Sequence, residues 1–389
     1  MQKLSERTMS FTDSVIRRMT RVSNLYDAVN LSQGFPDFDP PQELVTALSR
    51  VAVNGPHQYS ITWGAKNFRE ALAAKQEHFT GMKVDPEREI VVTCGSTEAM
   101  MASMMSLVDP GDKVAVFSPF YENYGADAIL SGAEPIYIPL RVPEFYFDER
   151  ELEEAFRKGA KVLILCNPSN PCGKVFSFEE LSLIARLVEK YDAYVITDEV
   201  YEHIIYEPCK HIPFATLPGM RQRTVICSSL SKTYSITGWR LGYVIAPPVI
   251  TETIRKVHDF LTVGAASPLQ EAAVTALKFG DEYYKSLQEK YTSLRKFFLD
   301  GLDKAGITHT TPCGAYYVLA DISEFGYDSD LEFCEDLAEK VGVGAVPGSS
   351  FFKEDVRHLI RFHFAKKEST LQEALSRLMK IRELMPRKK

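Results

Sequence analysis

Between residues 90 and 246 the chain alternates short apolar runs with longer stretches of helical periodicity, and that alternation leaves few folds open. Val114–Phe117, Val162–Cys166, Tyr194–Thr197, Thr224–Cys227 and Tyr243–Ala246 are continuous apolar runs bounded by Pro, Gly, Asp or Ser, as strands buried on both faces are. Helix-like stretches lie between them. One is Phe178–Tyr191, which Ser177 introduces as an N-cap with Glu180 three residues on. Strand alternating with helix predicts an α/β fold, a mainly parallel sheet covered by helices on both faces. Ligands bind beyond the carboxyl ends of such strands, so the residues just after each run are the ones to search for chemistry.

A chain of 389 residues exceeds what one hydrophobic core usually serves. The pattern changes near Asp281, where a charged amphipathic helix (Glu282 to about Ala305) leads into a β-rich run, Ala315–Ile322. This reads as a second, smaller α+β domain. The division is an N-terminal arm over 1–45, with little regular patterning, a large domain over 46–280 and a small C-terminal domain over 281–389. The net charge of −7 argues against a nucleic-acid surface, and no run approaches the roughly 20 apolar residues of a membrane span. Seven scattered cysteines with no Cys-x-x-Cys pair point to neither disulfides nor zinc; a cytoplasmic setting is expected. The histidines show no metal-ligand spacing, and no metal is expected.

The densest chemical signal is Ser228-Ser229-Leu230-Ser231-Lys232-Thr233-Tyr234-Ser235-Ile236-Thr237-Gly238-Trp239-Arg240-Leu241-Gly242-Tyr243. A lysine here sits in a hydroxyl-rich turn directly after an apolar strand. Arg240 could clamp an anion bidentately, and Gly238 and Gly242 would allow close backbone approach. The alternative is a surface loop with a solvated Lys and Arg, and residue types alone leave both readings open. Elsewhere, the backbone amides of Ser96 and Thr97, at the start of a Met-rich helix (Glu98–Val108), form a natural phosphate cradle. Methionines 100, 101, 104 and 105 read as helix core.

The Lys232 segment resembles the cofactor-lysine motif of class I, fold-type I aminotransferases, S-x-S-K followed by T-G-W-R-x-G, and the resemblance runs from Asn30 to about Lys367. It implies pyridoxal 5′-phosphate (PLP) as cofactor, held by Lys232 as a Schiff base, with Ser229, Arg240, Ser96 and Thr97 around the phosphate. Asp198, in Asp198-Glu199-Val200-Tyr201, would pair with the pyridine nitrogen and keep the ring an electron sink. Tyr201 would hydrogen-bond the phenolic oxygen. Asn170, in Asn167-Pro168-Ser169-Asn170-Pro171-Cys172-Gly173, would contact the same oxygen and the substrate; Cys172 stands where the family has Thr. Tyr121 matches the aromatic that stacks on the ring, Arg361 the fork for the substrate α-carboxylate, and Gly34 a backbone position near that carboxylate. Tyr59 matches the tyrosine that reaches the neighbouring subunit's phosphate, which requires a homodimer.

Taken singly, each of these residues has a structural explanation: a core aromatic, a helix N-terminal carboxylate, a Pro-rich turn. Their order along one chain is what favours the family. The family implies ping-pong transfer of an amino group from an L-amino acid to a 2-oxo acid, with Lys232 as general base and acid. The opening Leu31-Ser32-Gln33-Gly34-Phe35-Pro36-Asp37-Phe38 and Ile254-Arg255-Lys256-Val257-His258 resemble the kynurenine, glutamine and methionine branch, so a neutral or aromatic donor is expected. The alternatives are an aspartate or diaminopimelate-type donor and β-elimination from cysteine conjugates. One subgroup of aspartate enzymes has a Lys at the position of Thr97, which weakens that alternative.

Overall fold

The structure is a computed structural model and describes residues 3–9, 11 and 13–388. A two-residue strand, β1 (Val29–Asn30), comes first. Seven strands then form one sheet: β2 (Ile90–Thr93), β3 (Lys113–Ser118), β4 (Glu134–Pro139), β5 (Ala160–Cys166), β6 (Tyr194–Asp198), β7 (Thr224–Ser229) and β8 (Gly242–Ile245). Their order is β2-β8-β7-β6-β5-β3-β4. Every neighbouring pair from β7 to β4 is parallel, and only β8 runs antiparallel to its neighbours β2 and β7. The expected mainly parallel α/β sheet is therefore present.

Both faces of this sheet are covered, which explains the continuous apolar runs. Along β5, Val162 and Ile164 face one side and pack with Met100, Met104 and Ile254 of the helices Ser96–Leu107 and Pro248–Thr262. Leu163 and Leu165 face the other side and pack with Leu181, Ile184 and Val188 of the helix Phe178–Lys190. Burying each such side chain contributes about 1.5–3 kcal/mol. The predicted N-cap of Phe178–Lys190 is a full capping box: Ser177 Oγ accepts from the Glu180 amide at 3.2 Å, and the Ser177 amide donates back to Glu180 Oε2 at 2.9 Å. Of the four helix methionines, Met100 and Met104 are core, whereas Met105 is exposed.

A second sheet is antiparallel and small. It joins β9 (Tyr317–Asp321), β11 (Val346–Pro347) and β12 (Leu359–His363) in the order β11-β12-β9. The helix Asp281–Lys304 packs Tyr291, Phe298 and Leu302 into a core shared with Val318, Ile360 and Phe362. Strand β10 (Val343–Gly344) pairs in parallel with β1, so the segment around Leu31–Gly34 is tied to the C-terminal part of the chain. One expectation fails here. The first 45 residues include a regular helix, Val15–Leu25, with Ile16 and Met19 buried and Ser14 capping the Arg17 amide. Its apolar stripe (Val15, Ile16, Met19, Val22) has helical spacing, but three arginines between those positions mask it.

Candidate active site

Five strand ends of the large sheet, those of β2, β3, β5, β6 and β7, deliver most of the groups singled out above. Lys232 follows β7; its Nζ donates to the Gly34 carbonyl at 3.1 Å and lies 5.8 Å from the ring centres of Tyr201 and Tyr316. Burial lowers the Lys232 pKa to about 8 against the opposing pull of Asp198, and the positive charges of Arg240 and Arg361 push the same way as burial. Asp198, at the end of β6, is buried. Its carboxylate accepts from the Tyr124 hydroxyl at 2.7 Å and from the Val200 amide at 3.3 Å. Burial pushes the Asp198 carboxyl up, while those two hydrogen bonds and the Lys232 charge oppose it.

The turn after β2 makes an anion cradle. Gly95 has φ 85°, and the helix Ser96–Leu107 starts there with no side chain capping its free amides. Arg240, in the left-handed conformation at φ 53°, lays its guanidinium against Gly95 so closely that a Cβ at that position would sit 2.8 Å from Cζ. Gly242 is equally constrained: a Cβ there would lie 2.6 Å from the Ser96 amide nitrogen. Gly238, expected to serve close approach, instead faces open space. A helix N-terminus, a guanidinium and two glycines that keep the space clear fit a phosphate group. Ser229, buried at the end of β7 and paired with Gly242 of β8, accepts from the Ser231 amide at 3.3 Å; Thr97 is exposed at the helix start.

Arg361, on β12, is wholly buried. It donates from Nη1 to Asn170 Oδ1 at 2.7 Å and from Nη2 to the Ser32 carbonyl at 2.8 Å. Its guanidinium lies between the rings of Tyr317 (4.3 Å) and Phe351 (4.5 Å) and pairs with no carboxylate among the described residues. Because Asn170 uses its oxygen on Arg361, its amide nitrogen is left as a donor. Tyr201 shares a 2.8 Å hydrogen bond with the Tyr317 hydroxyl, and a Cβ on Gly34 would overlap that same Tyr317 hydroxyl. Tyr121 sets its ring at 5.8 Å, edge-on, to Tyr124. The buried Cys172 thiol donates to Ser169 Oγ at 3.3 Å, a packing contact within its own loop.

Ser96, Tyr121, Asn170, Asp198, Tyr201, Ser229, Lys232, Arg240, Gly34 and Arg361 are thus brought to one end of the sheet. Tyr59 is not: it is 85% exposed, away from the cluster. Three residues of the cluster were not foreseen, Tyr124 on Asp198 and the pair Tyr316-Tyr317 around Gly34. A doubled tyrosine directly after Cys313-Gly314-Ala315 was the one signal on offer. Neither did spacing reveal that Glu199, Glu202 and His211 come within 4.8 Å of one another. There the Lys75 ammonium, 2.8 Å from Glu202, already supplies a cation.

A lysine with its pKa near 8 is a nucleophile at ordinary pH. In cofactor-free protein, reductive alkylation of Lys232 by a small aldehyde should rise through an inflexion near pH 8, read by peptide mass; an inflexion near that of a surface lysine would contradict this environment. The same shift bears on stability. Between pH 8 and an unfolded value near 10.5 the unfolded chain binds more protons, so this group's contribution improves as pH rises through that window.

The family model described as "Aminotransferase class I and II" matches residues 26–378. The chain is 36% identical over 385 residues to the Mycobacterium tuberculosis protein named "Probable N-succinyldiaminopimelate aminotransferase DapC", covering 96% of this chain and 97% of that one. It is 36% identical over 370 residues to the methionine aminotransferase of Escherichia coli, covering 95% and 96%. The solved N-succinyldiaminopimelate aminotransferase from M. tuberculosis superposes with a TM-score of 0.94 at 35% identity, over 97% of this chain and 99% of that one. This chain belongs to the class I and II aminotransferases. It is an aminotransferase, an enzyme that moves an amino group between an amino acid and a 2-oxo acid.

Proposed function

We propose that the enzyme works with PLP held covalently by Lys232 and takes its amino group from a neutral or aromatic L-amino acid such as methionine, glutamine, phenylalanine or kynurenine. The observation that carries this reading is Lys232 itself, a buried amine held between the Gly34 carbonyl and the field of Asp198, with Arg361 across the site. When bound, PLP supplies an electron sink for the pair left on the donor's α-carbon. Arg361 grips the α-carboxylate with its fork and orients the Cα–H bond. Lys232, once the donor's amine has displaced it from the cofactor, would take that proton and hold it on Nζ for return within the site. Asp198, fixed by Tyr124, would face the pyridine nitrogen; Asn170 and Tyr201 would donate to the phenolic oxygen; Ser96, Ser229 and Arg240 would hold the phosphate. The second half-reaction runs these steps backward with a 2-oxo acid.

The donor class is supported by the E. coli methionine aminotransferase similarity and by Thr97, which places no cation where a distal carboxylate would need one. The similarity to an N-succinyldiaminopimelate enzyme favours a second reading, an acidic acylated donor. We further propose a homodimer in which Tyr59 reaches the partner's phosphate. In support, Tyr59, Ile61, Phe260, Leu261 and Val263 leave apolar surface exposed, Phe260 at 92%. The arm, large and small domains divided at residues 45 and 280 belong to this proposal, as does a cytoplasmic setting, which the seven free thiols favour.

The test has two arms. Borohydride reduction of the loaded protein should leave a covalent adduct on Lys232, and its absence there would refute the cofactor reading. With one 2-oxo acid acceptor, kcat/KM for methionine should exceed that for aspartate by about ten- to a hundredfold, because an unpaired distal carboxylate bears its desolvation cost. Aspartate winning would overturn the donor class and leave the rest standing.

A further inference from the structure

His258, on the helix Pro248–Thr262, lies outside the cluster and is wholly buried. Its Nδ1 is 2.6 Å from Glu98 Oε1, and its Nε2 is 3.0 Å from the Thr62 carbonyl oxygen. A carbonyl only accepts, so Nε2 bears a proton. Glu98 already accepts from the Thr262 hydroxyl at 2.8 Å and from the Cys94 amide at 2.5 Å. Glu98 is thus held by three groups at once, and the His258 ring bridges its carboxyl and the Thr62 carbonyl across a buried gap.

Each end of this pair touches a functional segment. Through the Cys94 amide, Glu98 fixes the turn Cys94-Gly95-Ser96 against which Arg240 lies. Through Thr62, His258 fixes the segment that carries Tyr59 and Ile61. The next residue, Trp63, accepts from the Val92 amide at 3.0 Å, on the strand that ends in that turn. The helix of His258 also bears the exposed Phe260 and Leu261, and Thr62 Oγ1 reaches Asp259 on it at 3.3 Å. One imidazole ring therefore joins the phosphate turn to both apolar segments of the exposed face. Glutamine does not replace it: its amide nitrogen and oxygen leave from one carbon and cannot reach partners on opposite sides of a ring-sized gap.

We propose that the His258–Glu98 pair is a positioning device that couples the subunit-facing surface to the phosphate-binding turn, so that cofactor affinity and dimer association strengthen each other. This rests on the reading of the site as a PLP site in a homodimer. Coupling between two binding events is reciprocal, so each should be visible from either side.

The experiment uses cofactor-free full-length protein as wild type, His258→Gln, Glu98→Gln and the double variant. PLP dissociation constants come from fluorescence titration, and dimer dissociation from sedimentation with and without PLP. Each single variant should raise the PLP Kd about tenfold and shrink the tightening of the dimer by PLP by a similar factor. The double variant should be no worse than the weaker single, because the two residues act as one unit. The loss should fall on Kd, with kcat at saturating PLP little changed. Glu98→Gln preserves volume, so the reading survives should His258→Gln fold poorly. Unchanged PLP affinity in Glu98→Gln, or losses that simply add in the double variant, would overturn the role of the pair. Wild type that takes up no PLP would instead overturn the cofactor reading, a separate outcome.

Discussion

Lys232→Ala will leave a folded protein with almost no transamination. On the role proposed for Lys232, loss of a proton-transferring amine alone lowers kcat by roughly 10²–10⁴-fold, and loss of a covalent hold on the cofactor lowers it further. The fold should survive, because among the described residues the Lys232 side chain gives one hydrogen bond, to the Gly34 carbonyl, which the Tyr316 hydroxyl also contacts at 2.9 Å. Burial already disfavours its charge, so the variant's melting temperature should not fall. A small primary amine added to the assay should restore part of the rate, since it can enter the vacated space and carry the proton. A structural lysine would give no such rescue, and wild-type turnover by Lys232→Ala would defeat the assignment outright.

Arg361→Ala should reduce kcat/KM by about 2–5 kcal/mol, roughly 30- to 5000-fold, much of it from leaving the substrate carboxylate unpaired in a closed site. PLP affinity should fall far less than kcat/KM, because Arg361 lies on the small sheet, away from the Gly95–Arg240 cradle, and bears on the cofactor site only through Asn170. Arg361→Lys should be nearly as poor: a single ammonium cannot form the fork or fill the slot between Tyr317 and Phe351. Parallel measurement of kcat/KM and PLP Kd decides the matter, and an equal loss in both would place Arg361 on the cofactor instead.

The parts of the fold that were legible in the chain share one property, burial on both sides. β5, β6 and β7 could be read because nothing polar interrupts Val162–Leu165, Val195–Ile196 or Val225–Ile226. β4 escaped notice. As an edge strand it tolerates Pro135 and Pro139 and has only Ile138 fully buried, so its composition reads as loop. The same logic divides the candidate site. Lys232 and Arg240 stand out as polar residues in an apolar context, whereas Tyr124, Tyr316 and Tyr317 look like any core tyrosine until their hydroxyls are located. Gly34 shows the limit from the other side. Its φ is not in the left-handed region, and only the Tyr317 hydroxyl pressed against it explains why no side chain fits.

The guanidinium of Arg361 meets only neutral acceptors, an amide oxygen and a carbonyl, inside a buried slot. Such a group is selective for little beyond a planar monoanion. On the substrate-binding role proposed for Arg361, acetate, formate or benzoate in a storage buffer competes with the amino acid for it. Rates measured in those salts will understate affinity for every donor by the same factor, leaving donor rankings intact while distorting each absolute KM. Zwitterionic sulfonate buffers, which carry no carboxylate to match the fork, avoid the distortion.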